Sequence, residues 1–306
     1  MSRNPYSDLP GRVEIVEVAP RDGWQNLSIF IPTDIKIALI EDLADCGFAE
    51  IEVGSFVNPR AIPQLRDAAE VLAAVKRRPG LVASVLVPNR RGLDAALAAG
   101  AEKLVFFISA SETHNQRNLG CSQADSLAGI AAMNAVVGRQ VPCRVSISNV
   151  FGCPFEGRIS FDRVSHLVAQ LHGLGLVEIT LCDTLGVATP PQVYEFCVRL
   201  REALPEVVFG LHLHDSCGRA LACVMAGLQS GIVRYDSAAG GLGGCPFAPG
   251  AAGNLATEDL VFCLENMGIA TPVASAKLLA VVRRQRQEIG IGSGRMLIFA
   301  DGCAGH

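Results

Sequence analysis

Apolar and mixed segments alternate along this chain at nearly regular spacing. Short β-type runs fall at 14–19 (EIVEVA), 50–55 (EIEVGS), 81–87 (LVASVLV), 103–109 (KLVFFIS), 144–150 (RVSISNV), 178–183 (EITLCD), 208–214 (VFGLHLH) and 233–239 (VRYDSAA). Ala- and Leu-rich helical windows separate them, at 33–46, 62–77, 89–99, 122–138, 160–173, 189–203 and 218–230, and an eighth, 256–267, follows the last run. Strands that alternate with helices require crossover connections and hence a parallel sheet. Eight such units predict an α/β protein built as a closed (β/α)8, or TIM, barrel. A doubly wound open sheet is the competing arrangement.

Local signals agree with the helices. Thr33 precedes one, and Ser160 and Thr189 are placed to cap two more, with Asp162 and Pro190 following. Gly47, Gly100 and Gly175 stand where helices end. A further helix near 273–287 carries Arg283, Arg284 and Arg286, and a glycine-rich tail runs over 290–306. With no linker or low-complexity stretch in sight, the expectation is one barrel domain over 1–306, with about 270–306 as a C-terminal helical extension.

Composition narrows the classes. Half of the 306 residues are hydrophobic and 18% are charged, too apolar for disorder. No run of apolar residues is long enough to span a membrane, so the apolar content predicts Val/Ile/Leu-rich strands buried on both faces. A net charge of −4 argues against nucleic acid or an anionic membrane as partner. Met1 to Gly11 lack an apolar signal core, and the 11 cysteines include no CxxC pair, so free thiols in the cytoplasm are expected.

Catalytic groups of such barrels sit at the C-terminal strand ends, and polar residues collect there. His212 and His214, two apart on a strand, share a face and can bind one metal, or can be two satisfied histidines. Asp22, after the first strand, can complete a site of imidazole and carboxylate without thiolate, which suits Mg2+, Mn2+ or Zn2+. Arg21 reads either as a cation for an oxyanion or as a rim ion pair. Glu52 is its orienting partner if it faces inward. Asp183 ends a strand, where capping the next turn is the other reading. The loop 240–254 (GGLGGCPFAPGAAGN) carries Cys245, a candidate acid/base or an ordinary loop thiol. Asn254 at its end offers an amide oxygen or a helix cap. Cys46, Cys197, Cys223 and Cys263 read as core thiols, Cys182 as a residue that can line the site, and Cys303 as an exposed tail thiol.

Several stretches resemble the 3-hydroxy-3-methylglutaryl-CoA lyase family: VEVAPRDGWQN (16–26), EVGSFVNPRAIPQ (52–64), GCPFEGRIS (152–160), DTLGVATP (183–190), HLHD (212–215) and GLGGCPFAPGAAGNLATEDLV (241–261). The resemblance implies a divalent metal, Mg2+ or Mn2+, on Asp22, His212, His214 and Asn254. It implies Arg21 and Cys245 as catalytic, Glu52 and Asp183 as supporting, and acyl-CoA contacts from Arg21, Ser55, Asn118 (in the loop after the fourth strand) and Arg144. It implies retro-Claisen cleavage to acetyl-CoA and an oxo acid, acetoacetate, by a homo-oligomer, dimer or higher. A condensing synthase of the wider superfamily would carry a C-terminal domain for which 306 residues leave no room. A non-catalytic CoA-binding barrel would tolerate loss of Arg21 or Cys245, and both are present.

Departures from the family pattern occur at Trp24, Leu27, Val145, Ser146, Asn149, Val150 and Phe151. Leu27, Val145, Ser146 and Phe151 are expected around the acyl end. There, lost polarity and added volume at 145 and 151 would favour a shorter thioester, citramalyl-CoA, cleaved to acetyl-CoA and pyruvate.

Overall fold

In the computed structural model, residues 8–75, 78–244, 253–290, 292 and 294–303 are described. Eight parallel strands, β1 (Glu14–Glu17), β2 (Glu50–Ser55), β3 (Val82–Leu86), β4 (Lys103–Ser109), β5 (Cys143–Ser148), β6 (Glu178–Asp183), β7 (Val208–Leu213) and β8 (Arg234–Ser237), form a closed barrel in sequence order. β1 pairs with both β2 and β8, which closes the ring and excludes the open sheet. The helices are α1 (Thr33–Asp45), α2 (Ala68–Val75), α3 (Arg90–Ala98), α4 (Glu112–Leu119), α5 (Gln123–Val137), α6 (Phe161–Gly173), α7 (Pro190–Ala203), α8 (Ala220–Gln229), α9 (Thr257–Asn266), α10 (Ser275–Ile289) and α11 (Arg295–Cys303). No described helix is long and apolar enough to cross a membrane.

The caps follow the local chemistry, with exceptions. Ser160 accepts from the Arg163 amide as expected. Thr189 occupies the cap position of α7 without a side-chain bond, and Thr33 is already inside α1, its hydroxyl donated to Asp67. Gly47 has φ +105°, and a Cβ there would collide with the carbonyl of Pro272. The window 62–77 is broken: a 3-10 turn at Pro63–Leu65 precedes α2. Two helices were not expected. The polar α4 is bounded by Ser111, which caps it, and Gly120 at φ +74°. The other, α11, interrupts the glycine-rich tail.

The barrel interior departs from the expected aliphatic filling. The outward strand residues, such as Ile51, Leu104, Phe106, Val145 and Ile179, pack beneath the helices with no exposure. Inward positions carry charge. At the N-terminal end Lys103 bonds Glu50 at 2.9 Å and Glu178 at 2.7 Å, while Arg234 pairs with the same two carboxylates. One layer higher, Arg144 bonds Glu52 at 2.9 Å and Asp236 at 2.7 Å. Charges removed from water are tolerated only in such pairs.

Candidate active site

β1 runs into a short π-helical turn, Ala19–Gly23, that is wholly buried and starts with Pro20 near its head. The amides of Arg21, Asp22 and Gly23 all donate to the Val18 carbonyl, at 3.1, 2.7 and 3.4 Å. The turn thereby aims Arg21 and Asp22 at the barrel mouth. Arg21 Nε donates to Glu52 Oε1 at 2.6 Å, and Nη1 donates to Asp22 Oδ1 at 2.7 Å. Glu52 thus faces inward and orients Arg21, as the strand parity allowed. Burial works against the Arg21 charge, but Glu52 and Asp22 outweigh it and hold its pKa above the ordinary value.

His212 and His214 share the inner face of the β7 end, ring centroids 5.3 Å apart. Together with Asp22 they form a buried cluster in which one ligand atom from each lies within 4.8 Å of the others. His212 Nε2 is 3.8 Å from Asp22 Oδ2, and its Nδ1 is 3.4 Å from Asp236 Oδ2. That is how a metal-ligating histidine is usually held, one nitrogen inward and the other on a carboxylate. Burial pushes His214 down to about 4, with help from neighbouring His212, so its ring is neutral and keeps a lone pair at neutral pH. For Asp22 burial is outweighed by Arg21, His212, His214 and Asn254, and its carboxyl is held below the ordinary range.

Asn254 returns to this cluster by a β-bridge with His214. Its Nδ2 donates to Asp22 Oδ2 at 2.6 Å and to the Leu242 carbonyl at 2.8 Å. That leaves Asn254 Oδ1 buried with no partner among the described residues, and His214 Nδ1 likewise. A buried acceptor left unsatisfied is costly. Two imidazoles, a carboxylate and a free amide oxygen are a donor set that fits a divalent cation. Asn254 does not cap α9, whose cap residue is Ala256.

A cavity of about 660 Å3 opens in front of the cluster, lined among others by Arg21, Asp22, His212 and His214. Ser55 and Asn118 also line it, Asn118 from the exposed rim on α4 rather than from a loop. Cys182 lines it too. Arg144 does not; it lies beneath, fully buried between Glu52 and Asp236. The Asp183 carboxylate accepts from the amides of Val187 at 3.0 Å and Ala188 at 2.9 Å, so its side chain braces the following turn, while its carbonyl accepts from His214 N at 3.3 Å. Cys245 lies outside the described residues.

Two residues of the site escaped the sequence. Asp236 on β8 holds both Arg144 and His212. Its signal was parity: it is in register with His212 on the neighbouring strand. Gln25 donates to Asp22 Oδ1 at 2.8 Å, one turn beyond the residue it steadies.

A profile described as HMGL-like matches residues 12–284. The chain belongs to the HMGL-like family. Hydroxymethylglutaryl-CoA lyase YngG of Bacillus subtilis (strain 168) is 43% identical over 287 residues, 94% of this chain and 95% of that one. A crystal structure of the Bacillus subtilis HMG-CoA lyase superposes with a TM-score of 0.93 at 41% identity, covering 96% of this chain and 99% of the other. An HMG-CoA lyase from Acinetobacter baumannii, solved in complex with coenzyme A and 3-methylmalate, gives 0.90 at 39% identity, with 98% and 97% covered.

Membership does not carry over the expected narrowing of the acyl pocket. Leu27, Val145 and Phe151 do not line the cavity; they are buried in the hydrophobic core, Phe151 against Phe196 with centroids 5.6 Å apart. On β5 the alternation sends Arg144, Ser146 and Ser148 inward and Val145 outward. Of the four positions only Ser146, a small side chain, reaches the cavity.

Proposed function

We propose that this HMGL-like protein is a divalent-metal-dependent acyl-CoA lyase. It cleaves 3-hydroxy-3-methylglutaryl-CoA, or a close analogue, to acetyl-CoA and acetoacetate. The observation that carries this reading is the convergence of Asp22, His212 and His214 on one wall of the cavity beside Arg21. The relatives' names supply the substrate class.

The reaction removes the proton of a tertiary alcohol, breaks the C2–C3 bond, and returns a proton to the carbon of the departing thioester enolate. A Mg2+ or Mn2+ ion, held by Asp22, His212, His214 and Asn254, would supply the Lewis acidity that lowers the alcohol's pKa. Arg21 places a fixed positive charge where the thioester oxygen gains negative charge. Glu52 and Asp22 keep that guanidinium in one orientation. Asp236 and Arg144 sit behind His212 and Glu52 as positioning residues. Ser55 and Asn118 are candidate acyl-CoA contacts on the cavity wall. Cys245 is the proposed proton donor, and Asp183 supports His214 through its backbone.

A preference for citramalyl-CoA loses its basis, because three of the four residues behind it do not reach the cavity. A homo-oligomer and a cytoplasmic location remain part of the proposal. The second is supported by the free thiols of Cys46, Cys121, Cys143, Cys153, Cys182, Cys197, Cys217, Cys223 and Cys263.

The test is acetyl-CoA release from purified protein. Hydroxymethylglutaryl-CoA should be turned over, chelation should abolish turnover, and Mg2+ or Mn2+ should restore it. Full activity in metal-stripped protein would overturn the metal assignment, and no acetyl-CoA from either thioester would overturn the lyase.

A further inference from the structure

α10 lies outside the eight strand–helix units, yet it sends one side chain to the back of the site. Gln285 is 0% exposed. A buried amide is costly unless both of its ends are bonded, and both are. Its Oε1 accepts from Trp24 Nε1 at 3.3 Å, and its Nε2 donates to the Ala239 carbonyl at 2.9 Å.

These partners are the two segments that build the metal cluster. Trp24 ends the π-helical turn that carries Arg21 and Asp22. Ala239 begins the 3-10 turn Ala239–Gly241 that leads to Leu242, the residue whose carbonyl receives Asn254 Nδ2. Asn254 in turn bonds Asp22. A closed circuit results: Asp22, Trp24, Gln285, Ala239, Leu242, Asn254 and back to Asp22. The two segments touch directly, since a Cβ on Gly23 would stand 3.0 Å from Leu242 Cβ. The 3-10 turn is pinned from outside as well, by Glu17 on the Ala239 amide at 2.9 Å and Glu258 on the Gly240 amide at 3.0 Å.

We infer that Gln285 is a positioning residue for the metal cluster, setting the separation of Asp22 and Asn254 by tying the turn after β1 to the turn after β8. The inference rests on the metal-dependent lyase reading above. Ser55 and Asn118, on other parts of the cavity wall, are not in the circuit. Loss of the amide therefore loosens the cation site and leaves the contacts from Ser55 and Asn118 in place.

Mn2+ alone is the probe, its binding followed by the electron paramagnetic resonance of the free ion, alongside Tm and steady-state kinetics. Gln285→Leu keeps most of the volume and removes both bonds. Its Mn2+ Kd should rise about tenfold, the low end for residues bonded to metal ligands, because Gln285 acts through Trp24 and Ala239 and not on a ligand directly. Its kcat should fall while KM for the acyl-CoA stays within about twofold. Trp24→Phe, which keeps the ring and removes the N–H, should shift Mn2+ binding in the same direction by less. The double variant should be no worse than Gln285→Leu within about twofold, because both act through one bond. Folded Gln285→Leu that binds Mn2+ like wild type overturns the inference, whatever its Tm. Should Gln285→Leu fail to fold, Trp24→Phe decides by the same criterion. Wild-type protein that binds no Mn2+ sinks the metal assignment and this inference with it, whereas normal wild-type binding beside unaltered variants sinks the inference alone.

Discussion

Two pairs of buried acids lie on opposite sides of the barrel wall. Inside, Glu52 and Asp236 face guanidinium groups: Arg21 and Arg144 for the first, Arg144 for the second. Outside, Glu17 and Glu258 face only uncharged donors. Glu17 accepts from the amides of Ala19 and Ala239 and the hydroxyl of Thr257, and Glu258 from the amides of Gly240 and Gly294. All four are 3% exposed or less. Burial opposes charge in Asp236, Glu17 and Glu258, yet the outcomes diverge. Asp236 is held far below the ordinary carboxyl range because Arg144 and His212 outweigh burial. In Glu17 burial wins over the hydrogen bonds and pushes the carboxyl up to about 7, and Glu258 is raised for the same reason. Depth alone therefore does not decide whether a carboxyl is charged. Asp236 maintains a fixed charge behind the site, while the outer pair fastens backbone and accepts a proton at little cost.

The largest effect should come from breaking the inner pair. Asp236→Ala leaves His212 Nδ1 without its carboxylate and Arg144 with Glu52 alone, and removing one member of a buried ion pair costs about 3–5 kcal/mol. Urea denaturation of the metal-free protein measures it; a loss under about 1 kcal/mol would put Asp236 on the footing of a surface pair. Next comes the pH dependence of the outer pair. A carboxyl raised from 4.5 to about 7 adds stability in full below the lower value and loses it as pH rises through the upper one. Relative to Glu17→Gln, which keeps an acceptor for both amides and a group for Thr257, the wild type should lose up to about 3 kcal/mol between pH 4.5 and 8. A flat difference across that window would place a charged Glu17 in the folded state. Asp236 has the opposite sign: its contribution is present above the unfolded value of 3.8 and is lost only in strong acid. Smallest should be Glu195→Ala, which removes an exposed pair with Arg199 on α7 and leaves Arg199 over the Phe161 ring. Its change in urea midpoint should correspond to about 0.5 kcal/mol or less. A cost near that of Asp236→Ala would mean that pairing, and not burial of the pair, sets the scale.

Much of this arrangement could be read from the chain. The eight strands and the polar residues at their ends follow from spacing and parity, so the gathering of Arg21, Asp22, Glu52, His212 and His214 at one end of the barrel is legible in the sequence. Helix α4 was not, because ETHNQRNL has no apolar stripe; its ends are written instead in Ser111 and Gly120. Asp236 carries no motif of its own in the short strand RYDS, and its meaning comes from His212 in register on the strand beside it. Leu27, Val145 and Phe151 were misplaced for the converse reason. Nearness in sequence to a site residue says nothing about the face on which a strand side chain emerges. Gln285 had no local signal, since both of its partners are distant in the chain.

The closure of the ring by β1 and β8 has a consequence for how each molecule is made. On the ribosome β1 appears early and waits, one edge unpaired, for a strand near the far end of the chain. Such long-range pairing forms late, and unpaired edges invite aggregation in the interval. Gln285 comes later still. The tie that Gln285 supplies between the turns after β1 and β8 can therefore form only once all eight strands have been synthesised.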